Sequence, residues 1–501
     1  MPYRERWRPQ FHFTPERNWM NDPNGLVFLD GEFHLFYQYN PFGDTCGHVS
    51  WGHAVSPDLV HWEHLPVSLA EEGGVMIFSG SAVIDVANTS GFGAGGVAPM
   101  VAIYTGHHTD MPLQTQSLAF SLDRGRTWTK YAGNPVLDIG AREFRDPKVF
   151  WHEPDRCWVM VVALPDERMV QFYGSPDLKD WAFLGDFGPA GSTEGIWECP
   201  DLFRLPVEGE EDGEGGERPW VLVVNVAAGA PAGGSGTNYF VGRFDGARFI
   251  ADDIGAEPRW ADFGRDFYAA VSWSGIPPED GRRIWIGWMS NWEYAAAVPT
   301  SPWRSAMTVP RSLGLRRTPD GLRLIQRPVS ELAGLRADGL ETGDLSVDET
   351  ARWLAANQME VGLAEIELAV RPGAAERFTI TLRHGEADET TIAFAFAAAE
   401  VTLDRRRSGE VTFAASFPGV HRAPFRLVDG RLRVGILVDA SSLEVFVNDG
   451  ETVLTDLILP LDPRLTFAVS ADSPDLEIES IDLWSLRSAT PTSMCSAIER
   501  S

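Results

Sequence analysis

The feature that most constrains this chain is its punctuation. From residue 26 to about 290 it is a succession of short apolar, aromatic-rich runs separated by Gly, Pro or Asp-Gly turns. These include "LVFLDGEFHLFYQY" (26–39), "PMVAIYTG" (99–106), "QSLAFSLDRGRTWTKY" (116–131), "PKVFWHEPDRCWVMVVAL" (147–164), "PWVLVVNV" (219–226), "NYFVGRFDGARF" (238–249) and "RIWIGWM" (283–289). Such runs between turn formers read as β-strands. Asp30-Gly31 predicts a type I′ hairpin, because both residues of that turn need positive φ. No long stretch carries helical periodicity before "PVSELAGL" (328–335). Many short antiparallel strands in one long chain suggest a sandwich, a barrel or a propeller. One pattern favours the propeller. "SPDLVHWEHL" (56–65) and "SPDLKDWAFL" (175–184) are near copies, and "SLDRGRTWTKY" (121–131) is a looser third. A Ser-x-Asp turn leading repeatedly into a Trp-bearing strand is the edge of one blade used several times.

The pattern changes after about residue 325. Tryptophans thin out, and alternating strands such as "FTITLRH", "TTIAFAF", "RLRVGILVDASSLEVFVND" and "LTFAVSAD" follow. The expectation is a domain over 1–325, a linker with a short helix over 326–344, a β-sandwich over 345–490 and a disordered tail over 491–501. The acidic run "VEGEEDGEGGE" (207–217) reads as a solvated hairpin tip. The Gly-rich stretches 90–96 and 229–236 lack the Lys-Ser/Thr ending of a phosphate-binding loop.

The formal net charge of −29 argues against nucleic acid and against anionic membrane surfaces, and fits a neutral ligand. The 18 tryptophans fit sugar stacking but serve cores equally well. Four cysteines without a CxxC pair, and histidines without ligand spacing, predict neither a disulfide framework nor a metal or other cofactor. The N-terminus lacks the apolar core of a signal peptide, so the chain as written is expected in the cytoplasm, or outside the cell if it is a trimmed mature form. The sequence is silent on oligomeric state.

Three carboxylates stand in unusual company: Asp22 in "WMNDPNG" (19–25), Asp146 in "FRDPKVF" (144–150) and Glu198 in "IWECPDLF" (196–203). Each is close to a proline at the start of a strand-like run. The Asp-Pro pairs bias both aspartates toward extended backbone. In a propeller the innermost strand of each blade starts at the central channel, so three such carboxylates can converge on one axial pocket. Arg145 is positioned to pair with Asp146, and Trp197 and Cys199 offer Glu198 an apolar setting suited to a general acid. For any one of these motifs alone, a solvated turn carboxylate is the commoner explanation; the three together make coincidence poor.

These stretches resemble glycoside hydrolase family 32, the invertases, inulinases and levanases. The resemblance runs from about residue 10 to 490. It takes in WMNDPNG, "YQYNP" (37–41), "WGHAVSPDLVHWEHLPV" (51–67), "IFSGSAVID" (77–85), RDPKV, WECPDLF, "DFYAAVSW" (266–273), "IGWMSNWEYA" (286–295), "SPWRSAMTVPR" (301–311) and "SSLEVFVNDG" (441–450). It implies an all-β architecture, a five-bladed β-propeller followed by a β-sandwich. It also implies Asp22 as nucleophile, Glu198 as general acid/base and Asp146 as transition-state stabiliser. The implied fructose pocket includes Trp19, Met20, Asn21, Gln38, Phe78, Ser79, Arg145 and Trp292. Without the motif match, the tryptophans and Phe78 would read as core, and Asn21 and Gln38 as turn or strand-edge residues.

The chemistry implied is retention by double displacement on a terminal fructose of levan, inulin or sucrose. Invertase is the nearest alternative and a fructosyltransferase the next. Outside enzymes, the alternative is a fructan-binding module that has lost catalysis. One position departs from the family pattern: Cys46 stands eight residues after Gln38, where a tryptophan is usual. It is expected to line the fructose pocket as a small apolar residue.

Overall fold

The computed structural model describes residues 3–210, 218–253, 255, 257–357 and 362–489. Residues 211–217 of the acidic run and the tail 491–501 lie outside this set.

Five sheets, antiparallel except where Trp303–Arg304 pairs parallel to Asn18–Leu29, follow one another along the first two-thirds of the chain. Their innermost strands are Asn18–Leu29, Val75–Ile84, Arg145–His152, Trp197–Arg204 and Tyr268–Ser272. Each sheet is a blade of a five-bladed β-propeller. The first hairpin turns at Asp30 (φ 49°) and Gly31 (φ 83°), with Leu29 opposite Glu32, as the turn chemistry requires. The repeated Ser-x-Asp turns fall at one structural place. Ser56, Ser121 and Ser175 end the third strand of blades 1, 2 and 3. Asp58 and Asp177 then cap the turn by accepting backbone N–H bonds from Val60 and His61, and from Lys179 and Asp180. The ring closes where blade 5 meets blade 1: Ser274 pairs with Leu26 and Phe28 through backbone hydrogen bonds.

Apolar cores lie between neighbouring blades. Val101, Ile103 and Leu118 of blade 2 meet Val149, Met160 and Val162 of blade 3, and the other interfaces repeat the arrangement. These strands are buried on both faces, which is why their sequences are continuous apolar runs rather than alternating ones.

Two sheets of six and five strands then stack as a β-sandwich over a core that includes Phe378, Ile380, Phe394, Ile436 and Val445. Here burial does alternate, as in Arg377–His384. The expected linker is shorter than the 326–344 read from the sequence. Blade 5 runs to Pro328, a 3-10 turn covers Ser330–Leu335, and Arg336–Ser346 is already a sandwich strand paired with Glu477–Leu486. An α-helix at Val347–Ala356 escaped the sequence reading although its signal was present. Ser346 and Glu349 form a reciprocal capping box. Among the described residues no helix is long and apolar enough to cross a membrane.

The two units are joined by buried charge. Asp439 of the sandwich accepts the backbone N–H groups of Gln10, Phe11 and His12, and the His12 ring lies 2.7 Å from both Asp439 and Glu444. Arg311 of blade 5 pairs with Glu444 and Asp262, and Arg405 of the sandwich pairs with Asp266 and Asp456.

Candidate active site

Every inner strand breaks register at the same level. The breaks fall at Met20/Pro23, Ile77/Gly80, between Arg145 and Lys148, at Glu198/Asp201 and at Tyr268/Val271. A β-bulge re-aims the side chains it carries. Repeated five times around one axis, the bulges turn Asp22, Ser79, Asp146, Cys199 and Glu198 toward a common pocket. In blades 3, 4 and 5 a non-glycine residue takes positive φ there: Asp146 at 66°, Cys199 at 43° and Ala269 at 54°. The expectation that the proline holds Asp146 extended is therefore wrong: the bulge overrides the Asp-Pro bias. Asp22 also lies inside its strand rather than at its first residue.

Asp22 is held from several sides. Ser79 Oγ donates to its Oδ2 at 2.6 Å and Asn21 Nδ2 to its Oδ1 at 3.0 Å. Asn21 is in turn fixed by the Trp19 indole N–H at 2.7 Å. The Cys199 thiol reaches Asp22 Oδ2 at 3.4 Å and Asp146 Oδ2 at 3.6 Å, so one sulfur touches both carboxylates. Asp146 Oδ2 also accepts the Cys199 backbone N–H at 2.9 Å. Burial pushes Asp22 above the ordinary carboxylate range; the Ser79 bond opposes this and the Glu198 charge adds to it. Asp146 rises to about 7, by burial first and then by the charges of Glu198 and Asp22, with Arg145 opposing.

Glu198 has different company from that expected. Trp197 is wholly buried between blades 3 and 4, its indole donating to Ser192 O, and Cys199 serves the two aspartates. The Glu198 carboxylate lies against polar groups: Arg145 Nε donates to Oε1 at 3.0 Å and Tyr268 Oη to Oε2 at 2.5 Å. Arg145 likewise does not pair chiefly with Asp146, which is 4.0 Å away, but with Glu198 and Glu143. Adjacent residues on a strand send their side chains in different directions, so sequence neighbours are poor candidates for a direct pair.

The remaining residues divide into walls and supports. Trp292 is 36% exposed and lies across Trp19 and Trp288, with ring centroids 6.1 and 4.8 Å away. Phe78 is half-buried and stacks flat on His107 at 4.4 Å. Gln38 donates to Ile77 O, and Asn24, with its amide oriented to suit its neighbours, accepts from Gln38 and donates to Ser79 Oγ. Met20 is a correction: it is 0% exposed within the apolar core around Trp19 and Trp288, and has no surface to offer a ligand. Trp19, 1% exposed, acts through Asn21 rather than by open contact. Cys46 is solvent-accessible, yet its thiol rises to about 11 through burial and the charges of Asp22 and Glu198. Lys148 of blade 3 and Asp201 of blade 4, both buried, pair at 3.1 Å.

Tyr268, Glu143 and Gln114 were missed by the sequence reading. Tyr268 lies in a segment already singled out, "DFYAAVSW", but nothing local announces its partner. Glu143 lies in the bend just before the strand that starts at Arg145, outside any alternating pattern.

Paired carboxylates in one buried pocket at the axis of a propeller, one held by hydroxyl and amide donors and the other by a guanidinium, are the apparatus of a glycoside hydrolase. Comparison with known proteins narrows the class. Residues 12–328 match the Glycosyl hydrolases family 32 N-terminal domain and residues 331–485 the Glycosyl hydrolases family 32 C terminal domain. The chain is 48% identical to a levanase of Bacillus subtilis over 97% of its own length and 71% of that protein's. It is 40% identical to an extracellular exo-inulinase of Aspergillus niger, covering 91% of this chain and 90% of that one. Crystallographic exo-inulinase from Aspergillus awamori superposes with a TM-score of 0.89 at 37% identity, over 98% of this chain and 100% of that one. The chain belongs to glycosyl hydrolase family 32.

Proposed function

We propose that this enzyme is an exo-acting β-fructosidase that releases terminal fructose from fructans, and from sucrose, with retention of configuration. The observation that carries the reading is the contrast between Asp22 and Glu198. Asp22 is fixed by donors to both oxygens, the arrangement a nucleophile needs to attack along one line. Glu198 is held by Arg145 and Tyr268 at the pocket's other side, with room to exchange a proton with a leaving oxygen. Glu198 protonates the glycosidic oxygen as Asp22 attacks the anomeric carbon; water, deprotonated by Glu198, then opens the fructosyl-enzyme. Asp146 accepts sugar hydroxyl bonds that strengthen as oxocarbenium character develops. Asn21, Gln38, Phe78, Ser79, Arg145 and Trp292 form or support the fructose pocket. We assign catalysis to the propeller, which carries every member of this set.

Relatives named levanase and exo-inulinase support a fructan substrate, and those named extracellular support work outside the cell. A relative named invertase, 37% identical over 90% of this chain, favours a second reading in which sucrose is the main substrate. Chromatography of products from levan, inulin and sucrose separates them. Fructose as the sole early product from a polymer supports the exo-fructanase; cleavage of sucrose alone supports the invertase; no cleavage of any overturns both.

A further inference from the structure

Arg145 is ringed by acids. Its Nε and Nη2 face Glu198 Oε1, each at 3.0 Å. Its Nη1 donates to Glu143 Oε2 and, at 3.2 Å, to Gln114 Oε1. Asp146 lies 4.0 Å from Nε. Glu143 lies in the bend that leads into the strand at Arg145, and Phe144 between them is buried in the core of blades 2 and 3. Glu143 also meets the exposed Arg142 at 3.4 Å, and its charge reaches His107. From the other elements, Glu198 is faced by the Tyr268 hydroxyl, by Asp22 and Asp146, and by the thiols of Cys46 and Cys199.

A guanidinium at 3.0 Å favours the ionised form of a carboxyl group. A general acid has to carry its proton until the leaving oxygen takes it. Left alone against Glu198, Arg145 works against that requirement. The counter-charge sits at the guanidinium's other edge. We infer that Glu143 is a positioning residue for proton donation: by taking the other edge of the Arg145 guanidinium, it shares the positive charge that Arg145 brings against Glu198. This rests on Glu198 being the acid/base.

The test is kcat/KM against pH for the wild type, Glu143→Gln and Glu143→Asp. Sucrose serves as the substrate that needs a proton and fructosyl fluoride as one that does not. Glu143→Gln is expected to move the upper limb on sucrose to lower pH by about half to one unit, because a neighbouring negative charge has gone. Glu143→Asp keeps the charge and the limb near its original place. On the fluoride, wild type and Glu143→Gln stay parallel through that limb. An unmoved limb in a folded Glu143→Gln enzyme, or an equal loss at every pH on both substrates, overturns the inference. Glu198→Gln separates this from the underlying reading. If it loses sucrose but keeps the fluoride, the acid/base assignment stands and an unmoved limb counts against Glu143 alone; if it loses both or neither, the assignment itself falls.

Discussion

Ser79 donates its hydroxyl to Asp22 Oδ2 at 2.6 Å, and each residue sits in the bulge of its own blade's inner strand. The bond joins blades 1 and 2 at the carboxylate proposed as nucleophile. It also opposes the burial that pushes Asp22 above the ordinary carboxylate range.

Ser79→Ala removes that donor. A bond to a charged group contributes about 1.5–3 kcal/mol, so kcat/KM is expected to fall roughly ten- to a hundred-fold. The sign on pH follows. Asp22 has to be ionised to attack, and losing a bond to its charged form raises it further. The acid limb of the kcat/KM profile moves to higher pH. A profile that drops without moving would mean that Ser79 acts only on the sugar.

The roles of Asp22 and Glu198 separate on an activated fructoside whose leaving group needs no proton. Glu198→Ala is expected to lose most of its rate on fructan and sucrose and little of the first chemical step on the activated substrate. Asp22→Ala loses both. Equal losses on the activated substrate would remove the acid/base assignment. The first-formed sugar, followed by NMR before it mutarotates, is the β-anomer if the mechanism retains.

How much of this was legible depends on range along the chain. Asp22, Asp146 and Glu198 announced themselves because each shares a short motif with a proline at a strand start. The turn at Asp30-Gly31 and the Ser-x-Asp repeats were legible for the same local reason. Partnerships were not. Arg145 prefers Glu198, 53 residues away, over its neighbour Asp146, because adjacent side chains on a strand leave it in different directions while the chain fold brings Glu198 alongside. Tyr268 meets Glu198 across 70 residues. Met20 was assigned to the pocket with the rest of its motif, though side chains along a strand alternate and this one points into the core. The helix at Val347–Ala356 was missed despite its capping box.

Cys46 is exposed, and the charges of Asp22 and Glu198 reach its thiol. Cys46→Trp is expected to give the sugar a stacking wall. Apolar contact of that size is worth roughly 1–2 kcal/mol, so KM for sucrose should fall about five- to thirty-fold. An unchanged KM with an unchanged melting temperature would mean that the side chain does not face the sugar. Alkylation of Cys46 slowed by fructose is the independent check.

His12 carries the pH dependence of the join between propeller and sandwich. Burial alone would keep its ring neutral, but hydrogen bonds and charges from Asp439 and Glu444 outweigh burial and lift it to about 9. Asp439 and Glu444 are held below their ordinary range despite burial, by His12 for Asp439 and by Arg311 and His12 for Glu444. A histidine raised in the folded state stabilises fully below its unfolded value of about 6.5, and the stabilisation disappears as pH climbs through the folded value. At about 1.4 kcal/mol per unit, the shift is worth on the order of 3 kcal/mol. The carboxylates give the opposite limb, present above the ordinary acid range and lost on acidification. Wild-type Tm is therefore expected to hold near pH 6 and fall between about 6.5 and 9. His12→Gln cannot take the proton and leaves Asp439 without its cation. Its Tm starts several degrees lower at pH 6 and varies less, so the two curves converge above pH 9. Thermal melts across that range decide it: curves that stay parallel would show that His12 does not carry a buried charge.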